Sequence, residues 1–267
     1  MDNRPIGFFD SGLGGLTCVM QFIKTFPHEK IIYFGDTART PYGSKAVSTI
    51  ERFSFEIADF LMSKDVKMLV IACNTITSTC LDALREKYAH IPIIGIIDPA
   101  AKKVAETCTK DNRIGIIGTK VTIEHKSYIK SIHSYCKDLN LYDKACPIFV
   151  PLIEEGIIDN DIMNLSIKHY LDDFTEENKL DTLVLGCTHY PLIMENIRRL
   201  YPQMHVINPS EEIVSSIGNT LLSMDILSAQ TDLENEFYAS DLSENFIEMI
   251  RTISKNSLIG FKSFEIE

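Results

Sequence analysis

The stretch "LVIACNTITS" (residues 69–78) changes periodicity at Cys73. Up to Ala72 it is a short apolar run of the kind buried in a parallel sheet. Beyond Cys73 the apolar residues recur at Ile76, Cys80, Leu81, Leu84 and Tyr88, the spacing of one helix face. The pattern predicts a strand that ends beside a cysteine and a helix that starts from it. A thiol in that place has two readings. Most free cysteines are packing residues. At a helix start, backbone N–H groups and the positive end of the dipole favour the thiolate, the form that acts as base or nucleophile.

The same switch occurs once more. "LVLGCTHYPL" (183–192) again runs from an apolar strand into a cysteine, Cys187, and a polar turn. Two further stretches recur in the same order: "IGFFDS" (6–11) as "IGIIGT" (114–119), and "IIDP" (96–99) as "VINP" (206–209). Residues 6 and 114, 73 and 187, and 99 and 209 stand 108, 114 and 110 apart. A nearly constant offset points to a duplicated α/β unit, although buried strands also resemble one another by chance. Between these anchors, apolar strands ("PIGFF", "KIIYFGD", "KMLVIAC", "IPIIGIID") alternate with amphipathic helical patterns, as in parallel α/β folds. We therefore expect two similar, pseudo-symmetric α/β domains with mainly parallel sheets and a site in the cleft between them. Open sheets bind ligands at the carboxyl ends of their strands, which would put Cys73 and Cys187 on facing walls. The expected crossovers are "DPAAKK" around Pro99 and "NPSEE" around Pro209. The tail from about 210 is helical in pattern, with a late "NEFYASD" stretch, and has no partner in the repeat.

Composition narrows the function classes. The chain has 267 residues, enough for one large domain or two small ones. A net charge of −11 argues against nucleic acid and against a basic membrane surface. The longest apolar runs are far too short to span a bilayer, and the charged start "MDNRPIGFFDSG" is no signal peptide, so a cytoplasmic protein is expected. The seven cysteines have no CxxC spacing, which argues against a zinc site and for free thiols. Cys18, Cys80, Cys108, Cys136 and Cys146 lack the context of the other two and read as packing residues.

Three loops carry further polar groups. "DSGLGG" (10–15) resembles a dinucleotide loop, but Thr17 stands where the third glycine belongs, and Asp10 would repel a pyrophosphate. No GK[ST] follows, so a P-loop is excluded as well. An acid beside glycines suits an ammonium group better. "TPYGSK" (40–45) is either a plain βα loop or a nest of N–H groups for a carboxylate. "VPLIEEG" (150–156) reads as the end of a second-domain strand, with two acids that are either solvated or turned to the cleft. His189, two residues after Cys187, is placed to exchange a proton with that thiol near neutral pH.

Taken together, "GFFDSGLGGLT", "YFGDTARTPYGSK", "ACNT" and "LGCTHYPL" resemble, in order from residue 7 to 193, the cofactor-independent Asp/Glu racemase family. The resemblance implies two α/β domains, residues 1–98 with 210–267 and residues 99–209. It implies Cys73 and Cys187 as the catalytic pair, with Asp10 and His189 assisting and Asp36 and Glu154 as further assisting acids. The implied substrate contacts are Asp10, Ser11, Pro41, Tyr42, Gly43, Asn74, Thr75, Thr119, Thr122, Thr188 and His189. It also implies an isomerase without pyridoxal phosphate or metal, a homodimer, and a role in supplying D-glutamate to the peptidoglycan of the cell wall and so to cell shape. "GCTH" favours the glutamate branch over the aspartate branch, whose second motif usually resembles "GCTE". Asp241 stands where the family often has a glycine after its "FY-[TA]-S" stretch. A non-enzymatic two-domain binding protein and a nicotinamide enzyme are the competing classes. The first would not need a thiol on each wall, and the second would show an NAD-dependent absorbance change.

Overall fold

In the computed structural model, residues 1–230, 234–253 and 260–264 are described. The remainder of the expected first domain, 231–233, 254–259 and 265–267, lies outside them.

The first half runs β1 (Ile6–Asp10), α1 (Leu16–Thr25), β2 (Ile31–Gly35), α2 (Val47–Ser63), β3 (Met68–Ile71), α3 (Asn74–Lys87), β4 (Ile93–Gly95) and α4 (Ile97–Thr107). The second runs β5 (Arg113–Gly118), α5 (Lys120–Glu124), α6 (Ser127–Tyr135), β6 (Asn140–Ala145), α7 (Phe149–Glu154), α8 (Asp161–Asn178), β7 (Thr182–Gly186), α9 (Met194–Leu200), β8 (His205–Ile207) and α10 (Pro209–Ser223). The tail adds β9 (Glu236–Ala239), α11 (Glu244–Ile253) and β10 (Phe261–Ser263).

Two parallel sheets result, ordered β10-β9-β2-β1-β3-β4 and β6-β5-β7-β8. The stretch β2-β1-β3-β4 has the same order as β6-β5-β7-β8, with β1 facing the role of β5 and β3 that of β7. Two of the three recurring pairs, "IGFFDS" with "IGIIGT" and "LVIAC" with "LVLGC", therefore occupy equivalent strands. In each sheet the order reverses at the central pair, β1/β3 or β5/β7. That reversal opens a crevice at the strands' carboxyl ends.

Residue alternation explains why these strands read as continuous apolar runs. Ile6, Phe8, Met68 and Val70 join the core that continues into the second sheet, while Phe9, Leu69 and Ile71 face the layer of α2 and α3. Both faces of the strands are buried, as a parallel sheet requires.

Two expectations shift. The fourth strand is short: β4 ends at Gly95, and "IIDP" already forms the start of α4. The expected crossovers are likewise helices, α4 leading out of the first sheet and α10 leading back. Asn208 caps α10 by accepting from the Ser210 N–H at 3.1 Å, and Pro209 opens it, where a missing N–H costs nothing. The tail is helical in α10 and α11 and returns to the first sheet, where β9, within "NEFYASD", pairs with β2. No helix among the described residues is long and apolar enough to cross a membrane.

Candidate active site

The two reversals meet at one cavity. It is about 20 Å³ and is lined by Ser11, Thr40, Pro41, Tyr42, Gly43, Cys73, Asn74, Thr75, Thr119, Val150, Cys187, Thr188 and His189. Both cysteines reach it, Cys73 from the end of β3 and Cys187 from the end of β7, and both are buried.

Their surroundings differ. Cys73 is the N-cap residue of α3, as the periodicity indicated. Its Sγ lies 3.4 Å from Ser11 Oγ. Burial pushes the thiol up, and the Asp10 carboxylate adds to this. The Ser11 hydroxyl and the N–H groups of Ile76 and Ser11 pull the other way and are outweighed. The helix start thus moderates a buried thiol without making it a resting thiolate. Cys187 is not at an α-helix start. It leads into a tight turn and a 3₁₀ segment, Tyr190–Ile193, and α9 begins only at Met194. Tyr190 and Pro191 open that segment, so the "CTHYP" turn replaces the helix start expected there.

His189 stands in place of a dipole. Its Nδ1 lies 3.8 Å from Cys187 Sγ, and its Nε2 is 3.1 Å from Glu154 Oε1. Burial alone would depress the imidazole, but Cys187 and Glu154 raise it well above its ordinary value. Burial likewise works against the Glu154 carboxylate, yet His189 and the Thr40 hydroxyl, 3.1 Å away, hold it below the usual range. The result is an imidazole–carboxylate contact beside Cys187, buried at His189 and half-buried at Glu154, in which each partner favours the other's charged form. Glu154 lies on α7 rather than at the end of a strand. The turn of that helix aims Glu154 inward and leaves Glu155 exposed.

This pair has a pH signature. The raised His189 contributes stability that is fully present below its unfolded value near 6.5 and is lost as pH rises through its folded value. The lowered Glu154 contributes above its unfolded value near 4.5 and loses it as pH falls through its folded value. Their window is therefore widest between those two unfolded values. Glu154→Gln is expected to cost about 2 kcal/mol there. The difference from wild type should narrow at both lower and higher pH, as followed by urea unfolding across pH 3–9. A constant difference at every pH would rule the ion pair out.

Several predicted contacts lie elsewhere. Asp10 is fully buried but does not line the cavity. Its Oδ2 accepts from the N–H groups of Gly15 at 2.9 Å and Gly12 at 3.2 Å, next to the start of α1, and Thr188 Oγ1 approaches Oδ1 at 3.4 Å. The glycine turn needs that acid to satisfy its own N–H groups, so the carboxylate shapes the loop. Thr122 sits behind Thr119, their hydroxyls 3.0 Å apart, and Thr119 reaches across to Thr75 at 3.0 Å. Asp36 lies beneath the "TPYG" loop, away from the cavity, and holds Arg39, Tyr42 and Ser240.

Three participants had no sequence argument of their own. Thr40 and Val150 line the cavity from within stretches already singled out. Tyr128 donates to Asn74 Oδ1 at 2.7 Å, and this leaves the Asn74 side-chain NH₂, buried and unpartnered, as a donor for a ligand.

Comparison with known proteins gives the same frame. Residues 17–217 match the model of the family described as Asp/Glu/Hydantoin racemase. The chain is 43% identical over 265 residues to a glutamate racemase of Sulfurihydrogenibium sp., covering 98% of this chain and 97% of that one. It is 42% identical to a glutamate racemase of Geobacter metallireducens over 91% of this chain and 90% of that one. A crystal structure of the Francisella tularensis glutamate racemase in complex with D-glutamate superposes with a TM-score of 0.93 at 35% identity, covering 100% of this chain and 99% of that one. The likeness runs through both sheets and the crevice between them, and on it the chain belongs to the Asp/Glu/Hydantoin racemase family of isomerases.

Proposed function

We propose that the chain interconverts L- and D-glutamate without pyridoxal phosphate, by a two-base mechanism in which Cys73 and Cys187 work on opposite faces of the α-carbon. The observation that carries this reading is a buried thiol at the reversal point of each sheet, both reaching one cavity. The glutamate relatives, alike over nearly the whole chain, support the choice of substrate.

In one direction a thiolate takes the α-proton and becomes a thiol. The thiol on the other wall gives its proton to the opposite face of the carbanion and becomes a thiolate. No atom beyond that proton is exchanged, and each turnover leaves the two cysteines with their states reversed. By family resemblance Cys73 takes the proton of D-glutamate and Cys187 that of L-glutamate. The His189–Glu154 pair stabilises a thiolate at Cys187, while at Cys73 the Ser11 hydroxyl and the N–H groups at the start of α3 do so. The NH₂ of Asn74 and the hydroxyls of Thr75, Thr119 and Thr188 are donors for the substrate carboxylates and for charge on the carbanion. Ser11, Pro41, Tyr42 and Gly43 complete the wall. The cavity lies between the two sheets, and substrate held in it displaces water from the reacting carbon.

The same resemblance supports residues 1–98 with 210–267 and residues 99–209 as the two domains, and a cytoplasmic homodimer supplying D-glutamate for peptidoglycan. The chemistry is tested in D₂O. Each enantiomer should yield the opposite one carrying deuterium at the α-carbon, with aspartate turned over far more slowly. Product without deuterium would exclude exchange through solvent-equilibrated thiols, and equal turnover of aspartate would shift the substrate.

A further inference from the structure

We infer that Ser240, in the returning tail, is a positioning residue for the substrate loop 36–44 and acts through Asp36; the inference rests on the racemase reading of the cleft. The tail strand β9 lies against β2, with Ala239 opposite Gly35, so Ser240 arrives where the loop leaves β2. There the two segments are laced together. Ser240 N–H donates to Gly35 O at 3.2 Å, and its hydroxyl donates to Asp36 Oδ1 at 2.7 Å while accepting from Ala38 N–H at 2.9 Å. Thr37 Oγ1 donates to Asp241 O at 2.6 Å and accepts from Asp241 N–H at 2.9 Å.

Asp36 passes this grip on. It is fully buried, and its other oxygen accepts from Arg39 Nε at 2.7 Å and from the Tyr42 hydroxyl. Tyr42 and Gly43 are the residues that face the cavity, and Gly43 is pressed so close to Thr119 that a Cβ on it would lie 2.6 Å from Thr119 Cβ. A carboxylate with one bond to the tail and two to the loop fixes the loop only while all of its donors are present. Ser240 touches neither cysteine. Its loss therefore loosens the wall that receives substrate and spares the proton transfer.

Ser240→Ala is expected to raise KM for glutamate about tenfold with kcat within about twofold of wild type. Amide hydrogen exchange across 36–44 should quicken about tenfold, while α3 keeps its protection. Thr37→Val, which removes the other clasp, should move both readouts the same way by about threefold. Wild-type exchange across 36–44 in both variants overturns the inference, and so does a fall in kcat with KM unchanged. The exchange measurement needs no substrate, so it separates failure of this brace from failure of the glutamate reading, which would show as a wild-type chain inactive on glutamate.

Discussion

Cys73→Ala and Cys187→Ala are each expected to lower racemisation of both enantiomers by roughly 10³-fold or more, because inversion needs a group on each face and water cannot take the place of a buried thiol. Folding should survive. Both residues are small and buried, and the cavity left by one sulfur costs about 1 kcal/mol, visible as a modest fall in Tm. The two variants should still differ. Cys73→Ala retains Cys187, so it should wash deuterium slowly into L-glutamate and return it on the same face, leaving D-glutamate untouched. Cys187→Ala should do the reverse. Proton NMR of the α-position in D₂O reads both outcomes at once. Full activity in either variant would sink the two-base scheme, and wash-in on the wrong enantiomer would exchange the roles of the cysteines.

Gly14→Ala is expected to be nearly as damaging, although residue 14 has no chemical role. A Cβ there would stand 2.4 Å from Thr188 Oγ1, 2.7 Å from His189 Nδ1 and 2.8 Å from the Thr188 backbone carbon. A side chain can rotate away, but the backbone carbon cannot, so the loop carrying Cys187 must move away from the first sheet. A shift of about 1 Å at a reacting group costs roughly 10²-fold in rate. The overpacking adds about 1–3 kcal/mol of destabilisation. Steady-state kinetics together with urea unfolding should show both losses. An unaltered kcat/KM would mean that the two loops do not form a rigid contact.

Why glycine is needed at position 14 was not legible in the chain, although the "GLGG" run was. The run was read as an unsuitable nucleotide loop beside an acid meant for an ammonium group. In the fold, Asp10 satisfies the N–H groups of that turn, and Gly14 lets the second sheet's loop approach. The first is a turn closed on its own acid, and the second is a contact between segments more than 170 residues apart, which no local periodicity reports. The same holds for Glu154. Two adjacent acids after an apolar run fit the end of a strand as well as a short helix, and only packing against His189 and Thr40 distinguishes them. Cys187 was placed correctly at the end of its strand, but its helix start was inferred by analogy with Cys73, and the "THYP" turn broke the analogy. Asp36 was expected as an assisting acid by resemblance, whereas in the fold it accepts from Arg39 and Tyr42 of its own loop and from Ser240 of the distant tail.

What the sequence determined by itself is everything that repeats along the chain at short range: the alternation of strands and helices, the twofold recurrence of strand-then-cysteine, and hence two parallel sheets with a thiol at the carboxyl end of an inner strand of each. These follow from side-chain periodicity and turn chemistry, which act over a few residues. The tertiary structure alone decided which polar groups face the cavity and which serve the scaffold. That choice turns on whether a buried N–H or hydroxyl from elsewhere in the fold has already claimed each carboxylate and amide, and such partners come together only when the two sheets close on one another.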